Sequence, residues 1–236
     1  MLRHLSAAMA PAAASTAAAA EELAAKYDRD GFVVVRQLLP AAELIRIQAS
    51  LADFRERVVP TLPDDFAFFD RPGSPETCKY INFAIFDAAD PDDSDDLAAQ
   101  LPREEDWQPL TRLCQHPAFS GAARAVLREP FDVKSRLLWF NKSAAASEQT
   151  PPHQDNGYFG LTPPACCTVW LALDPISFET GALRYIPGSH VYVRPHHKSG
   201  VRGFSQSVVS YTEADRAAEV AVEMQPGDAV VHHCNV

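Results

Sequence analysis

From residue 133 onward, proline and glycine cut the chain into short runs rich in Val, Leu, aromatic and β-branched residues. That punctuation restricts the possible folds more than any other feature. The runs "VKSRLLWFNK", "CCTVWLALD", "GALRYIPGS", "VAVEMQPG" and "DAVVHH" suit a pleated, half-buried surface. Short strands separated by turn residues predict an antiparallel β-sandwich or barrel for the C-terminal half.

The N-terminal half follows another period. "DGFVVVRQLLP" predicts a short strand at residues 33–35 after an Asp-Gly turn. In "AAELIRIQASLADFRERVV" the apolar residues Leu44, Ile47, Leu51, Phe54 and Val58 recur about every 3.5 positions, which predicts an amphipathic helix stopped by Pro60 and Pro63. Two shorter helices are expected in "PLTRLCQH" and "AFSGAARAVLRE". The acid-dense stretch "FDAADPDDSDDLAAQLPREED" lacks the glycine and distal glutamate of an EF-hand and is expected to be a solvated loop. The expected fold class is therefore mainly β with α, with N-terminal helices packed on a β core. Residues 1–24, an alanine-rich stretch, form a disordered or targeting leader in this reading, and residues 25–236 form one domain.

Charge and cysteine content exclude several function classes. A formal charge of −10 disfavours a nucleic-acid groove, which needs clustered Lys and Arg. No apolar run approaches the roughly 18 residues that span a bilayer. The five cysteines are odd in number and lack CxxC spacing, so reduced thiols are expected rather than a disulfide framework or zinc site. The expected location is cytoplasmic, with organellar targeting by the N-terminus open.

Within "TPPHQDNGYFG" a histidine and a carboxylate stand two positions apart among helix-breaking residues. In an extended segment, i and i+2 project on one face, so His153 and Asp155 aim into one cavity while Gln154 points away. An imidazole nitrogen and a carboxylate oxygen supply two corners of the facial triad of non-haem Fe(II) oxygenases. A surface histidine beside a turn aspartate would show the same tripeptide.

Three ordered blocks carry a more specific signal: "NKSAAASEQTPPHQDNGYF", "TVWLALDPISFETGALRYIPGSH" and "QPGDAVVHH". Together with the early "YDRDGFVVVRQLLPAAEL" they resemble the phytanoyl-CoA dioxygenase (PhyH-like) family from about Tyr27 onward. That resemblance implies a double-stranded β-helix, or jelly-roll (cupin-like) barrel. It also implies Fe(II) as metal, with 2-oxoglutarate and O₂ as co-substrates, and a dioxygenase that hydroxylates an unactivated C–H of a small-molecule or acyl substrate. Related halogenases replace the metal-binding carboxylate with a small residue, so an aspartate at 155 implies hydroxylation.

By the same resemblance, His153 and Asp155 are metal-binding and catalytic. Lys79 in "CKYINF" resembles a lysine near the co-substrate, Lys142 in "FNK" matches a recurring lysine, and Leu138 and Trp170 match apolar wall positions. Trp170 as plain core and Lys79 as plain surface stay open. Tyr158 and Phe159 either flank the substrate entrance or pack beneath it. Relatives place a distal iron-binding histidine, then an arginine clamping 2-oxoglutarate, at spacings that pass Val236 when counted from Gly227, so the domain is expected to be incomplete at its C-terminus. Adjacent strand residues face opposite ways, so at most one of His232 and His233 turns inward; by the resemblance both lie upstream of the distal ligand, and His233 ranks ahead of His232 as a substitute for it. His190 reads as structural, and His196 and His197 read as part of a basic loop with Arg194, Lys198 and Arg202. The alternative function is a non-catalytic jelly-roll binding protein or pseudoenzyme lacking the distal ligand.

Overall fold

The computed structural model describes residues 11–62, 67–71, 74, 77–83, 102–132, 137–142, 149–201 and 203–236. The first ten residues, most of the acid-dense stretch, the start of the "VKSRLLWFNK" run and Arg202 lie outside them.

The framework is a three-stranded antiparallel sheet assembled from distant parts of the chain. Strand β1 (Phe32–Val35) and strand β5 (Cys167–Leu171) flank strand β10 (Ala229–His233). The register pairs Val33 with Val231 and Phe32 with His232 on one side, and Val230 with Trp170 and His232 with Thr168 on the other. Helix α1 (Pro11–Asp30) begins inside the stretch expected to be a leader. Its last turns, through Leu23 and Tyr27, join Ala122 and Val126 of helix α4 (Pro117–Leu127) against Val33, Val231, Val169 and Cys167. The opposite face carries Phe32, Val34, Trp170, Ala172 and Val230, packed with Tyr185, Val222 and Met224. Both faces are thus covered, which explains why β10 reads as a continuous apolar run instead of alternating.

A second layer pairs strands β2 (Ala67–Phe69), β3 (Cys78–Asn82) and β4 (Leu138–Phe140) in that order. Helix α2 (Ala41–Arg57) lays Leu51 and Phe54 on this layer, together with Trp107 and Leu110 of helix α3 (Glu104–Thr111). Phe54 and Phe83 are fully buried, ring centroids 5.2 Å apart. Burying a side chain of that size is worth about 1.5–3 kcal/mol.

Two short antiparallel pairs complete the β core: β6 (Arg184–Tyr185) with β9 (Val220–Ala221), and the hairpin β7 (His196–Val201) with β8 (Phe204–Val208). The basic stretch expected as a loop is therefore largely strand. Between these lie helix α5 (Asn156–Phe159) and helix α6 (Glu213–Ala218), the latter opened by a capping box between Thr212 and Asp215.

The Gly-Asp block turns the chain into β10. Gly227 has φ +90°, and a Cβ there would fall 3.0 Å from the Leu39 carbonyl oxygen, so both conformation and space call for glycine. Asp228 accepts the Gln37 N–H on Oδ1, and the Gln225 N–H and Arg36 guanidinium on Oδ2. Among the described residues no helix is long and apolar enough to cross a membrane.

Candidate metal centre

The segment carrying His153 and Asp155 lies between β8 and the end of β10 and is held from both sides. The Pro152 carbonyl accepts the N–H of Val208 in β8, at 2.9 Å. The Asn156 N–H donates to the Cys234 carbonyl just past β10, at 2.8 Å. Gln154, 3% exposed, is the buried anchor between them. Its amide donates to the carbonyls of Tyr192 and Asn235 and accepts the Arg194 N–H.

With Gln154 turned into the protein, His153 and Asp155 face each other, Nε2 to Oδ1 at 3.5 Å. Asp155 already has helical torsions, φ −55° and ψ −33°, so the convergence uses the start of α5 as well as the extended run before it. Both side chains keep about a fifth of their surface exposed, 23% and 22%. The His153 Nδ1 lies 2.8 Å from the Pro151 carbonyl. A proton donated there fixes the ring and leaves Nε2 to hold a proton or a cation between itself and the aspartate, the usual device for orienting a metal-binding histidine.

Electrostatics agree with the geometry. Burial opposes charge on both groups, yet hydrogen bonding between them outweighs it. The Asp155 carboxyl is held well below the usual carboxylate range, by His153 and His232, and the His153 imidazolium is raised by Asp155 and the Pro151 carbonyl. An arrangement that favours a shared proton also favours a shared cation. Donors 3.5 Å apart can both reach one ion through bonds of about 2.1 Å, so the pair fits a divalent metal. Among the described residues, no group of three or more His, Cys, Asp or Glu is arranged to hold one.

Of the adjacent pair in β10, His232 turns inward. Its Nε2 lies 3.0 Å from Asp155 Oδ2 and its Nδ1 lies 2.8 Å from the Tyr185 hydroxyl. His233 takes the outer face, its ring 6.2 Å from Tyr27 and 5.4 Å from His190. The preference for His233 is thus reversed. With both faces covered, hydropathy carries no sign of which one faces the cavity. Thr168 donates its hydroxyl to Asp155 Oδ2 at 2.7 Å; strand alternation from Trp170 would have placed it on the same face.

Aromatic rings line the approach. Tyr158 meets His153 edge-on with centroids 5.4 Å apart, its hydroxyl bonded to Gln206 in β8. Phe204 lies 6.3 Å from His153 and stacks with Phe140 at 6.1 Å, which stacks with Tyr80 at 5.0 Å. Lys79, 7% exposed, puts its ammonium 5.4 Å from the Phe204 ring centroid and 3.6 Å from Asp70 Oδ1. One ring therefore touches both His153 and Lys79. Lys142 is exposed as a whole residue, but desolvation, then the charges of Arg184 and Lys79, lower its ammonium pKa. Its side chain crosses Gly181, where an added Cβ would fall 2.7 Å from Cδ. Trp170 packs in the core beside Tyr185, on the face that carries Thr168. Leu138 lies 40% exposed opposite Asn82.

Comparison with known proteins supplies the lineage. The sequence profile described as Phytanoyl-CoA dioxygenase (PhyH) matches residues 27–236. The chain belongs to this family. A probable phytanoyl-CoA dioxygenase of Caenorhabditis elegans is 24% identical over 221 residues, covering 88% of this chain and 65% of the relative. The peroxisomal phytanoyl-CoA dioxygenase of Homo sapiens is 23% identical, covering 88% of this chain and 59% of the relative. The chain thus spans less than two thirds of the length of these relatives. Among solved structures, the epimerase SnoN in complex with Fe3+, alpha ketoglutarate and nogalamycin RO matches with TM-score 0.61 and 24% identity, over 92% of this chain and 75% of that one. EvdO2 of Micromonospora carbonacea var. aurantiaca, complexed with 2-oxoglutarate, matches with TM-score 0.59 and 21% identity, over 91% and 80%. These likenesses establish the jelly-roll fold for this PhyH-family chain.

Proposed function

We propose that this PhyH-family chain is an Fe(II)- and 2-oxoglutarate-dependent dioxygenase that hydroxylates an unactivated C–H bond of a small-molecule or acyl substrate. The observation that carries the reading is the His153 Nε2 to Asp155 Oδ1 approach of 3.5 Å, with Nδ1 engaged by the Pro151 carbonyl. His153 and Asp155 would hold the iron. Bound iron with 2-oxoglutarate supplies O₂ activation, yielding succinate, CO₂ and an oxidised substrate.

The chain's own residues supply placement, charge and aromatic surface. Asp155 contributes a carboxylate already ionised by its neighbours, so metal binding requires no proton release from it. Lys79 offers a buried positive charge for a dicarboxylate, and Lys142 a second one beyond it. Tyr158, Phe204, Phe140 and Tyr80 would present aromatic surface to an apolar substrate. A reducing compartment, the cytoplasm or an organelle, suits the five free cysteines.

A second reading, a jelly-roll binding protein without turnover, draws on the two-ligand character of the site among the described residues. Anaerobic titration with Fe(II) and 2-oxoglutarate, followed by admission of O₂, separates the two. The dioxygenase gives a weak visible charge-transfer band and substrate-independent succinate, and both disappear in Asp155→Ala. Absence of both in the unaltered protein selects the binding module. Succinate release unchanged by Asp155→Ala removes the ligand assignment.

A further inference from the structure

We propose that Tyr185 and His232 are positioning residues, a buried phenol–imidazole pair that holds Asp155 with Oδ2 tied to protein donors and Oδ1 presented to the metal. The inference rests on the reading of His153 and Asp155 as the ligand pair and assigns roles to two residues outside that pair.

The two carboxylate oxygens have different surroundings. Oδ2 receives the Thr168 hydroxyl at 2.7 Å and the His232 Nε2 at 3.0 Å, whereas Oδ1 faces His153 Nε2 at 3.5 Å. A free carboxylate rotates about its last torsion and exchanges its oxygens. Two donors converging on one oxygen remove that freedom and leave the other for the cation.

Proton counting fixes what His232 can do. Its Nδ1 lies 2.8 Å from the Tyr185 hydroxyl. If the phenol donates to Nδ1, the ring's proton must sit on Nε2 and point at Asp155. If the ring is doubly protonated, Nε2 again donates. The remaining tautomer would press an Nε2 lone pair against an ionised oxygen 3.0 Å away and is disfavoured by repulsion. In the metal-free protein these contacts make His232 a donor to Asp155 Oδ2, with the Tyr185 hydroxyl holding the far side of the ring.

The pair is also held rigidly. Tyr185 stacks on Phe32 with centroids 4.6 Å apart and planes 21° apart, and both Tyr185 and His232 are buried. Phe32 and His232 face each other across the β1–β10 register, so the strand pairing delivers both rings to one place. Phenol, imidazole and carboxylate form a hydrogen-bonded chain from buried Tyr185 to partly exposed Asp155.

The test is anaerobic titration with Mn(II) alone, read by electron paramagnetic resonance, which needs no turnover. Tyr185→Phe keeps the stacked ring and removes only the hydroxyl. His232→Phe removes both polar atoms, and His232→Gln restores a donor toward Asp155. The expected result is an increase in the Mn(II) dissociation constant of about tenfold for Tyr185→Phe and up to about a hundredfold for His232→Phe. His232→Gln should recover most of that loss, with far-ultraviolet circular dichroism unchanged in Tyr185→Phe and His232→Gln. The Co(II) visible spectrum of saturated His232→Gln should match that of the unaltered protein. A displaced Co(II) spectrum in His232→Gln would make His232 a ligand and overturn the proposal. Wild-type Mn(II) affinity in both Tyr185→Phe and His232→Phe would reduce the pair to core packing and overturn it equally. Wild-type affinity in Asp155→Ala would instead remove the underlying ligand reading, an outcome distinct from the other two.

Discussion

The Nε2 of His196 accepts the backbone N–H of Gln154 at 3.0 Å and so fixes the peptide between the two candidate metal ligands. The ring can do so because its Nδ1–H is taken by the Arg194 carbonyl at 2.9 Å, leaving Nε2 as acceptor. Gly157 leaves the room for this ring. A Cβ at 157 would fall 2.8 Å from His196 Cδ2 and 2.9 Å from Nε2. Gly157→Ala should therefore push the imidazole off Gln154 and leave a buried donor unpaired, costing about 1–3 kcal/mol. His196→Ala should cost a similar amount by the direct route, and the double variant little more than either, because both remove one bond. Urea unfolding of the three variants measures this; fully additive losses would show that the contact is not what Gly157 protects.

Gln154 itself joins three parts of the chain. Its side-chain amide bonds the carbonyls of Tyr192 and Asn235 and the N–H of Arg194, deep in the protein. Gln154→Leu preserves volume and strands all three partners. At about 1 kcal/mol per bond lost, the expected destabilisation is about 3 kcal/mol, with weaker Mn(II) binding because the ligand segment loosens. Chemical denaturation and metal titration on the same variant check both effects. A loss under about 1 kcal/mol would mean that water replaces the amide.

How much of this was legible beforehand varies by element. The spacing of Leu44, Leu51 and Phe54 marked α2 because one face of that helix meets water. The strands at Cys167–Leu171 and Ala229–His233 stood out by composition. Hairpin β7–β8 did not, since "HHKSGV" is mostly polar and in "FSQSV" the buried Ser207 breaks any apolar alternation. His153 and Asp155 were visible through a local motif. Thr168, Tyr185, His232 and Phe204 come from four separate strands, and nothing in the order of residues announces that they meet. Their roles depend on register and on which face of β10 the helices cover, both properties of the assembled sheet.

Acid should undo the Gly-Asp turn in a definite direction. Burial alone would raise the Asp228 pKa, but the N–H groups of Gln37 and Gln225 and the Arg36 guanidinium outweigh it and hold the carboxyl below its ordinary value of 3.8. A carboxyl depressed in the folded state contributes stability that is fully present above the unfolded pKa and is lost as pH falls through the folded one. Asp228→Asn should therefore destabilise the protein near neutrality by about 2–3 kcal/mol. Its stability should also fall less steeply than that of the unaltered protein as pH drops below about 4. Unfolding free energies measured from pH 7 to pH 3 test the sign; a constant gap between the two curves across that range would assign the effect to packing instead of charge.

Lys79 allows the proposed co-substrate site to be tested apart from the proposed metal pair. It is buried against the Phe204 ring, which also touches His153, yet it is not a metal-binding group. Lys79→Met keeps most of the stem and removes the charge. Hydrogen bonds to charged groups are worth about 1.5–3 kcal/mol, and about 1.4 kcal/mol corresponds to tenfold in an equilibrium constant. The 2-oxoglutarate concentration for half-maximal succinate release should therefore rise by about tenfold or more. Mn(II) affinity measured without 2-oxoglutarate should stay within about twofold, since Asp155, His153 and their donors are untouched. The opposite pattern, weakened Mn(II) binding with an unchanged 2-oxoglutarate requirement, would place Lys79 in the support of the metal pair and leave the dicarboxylate to Lys142.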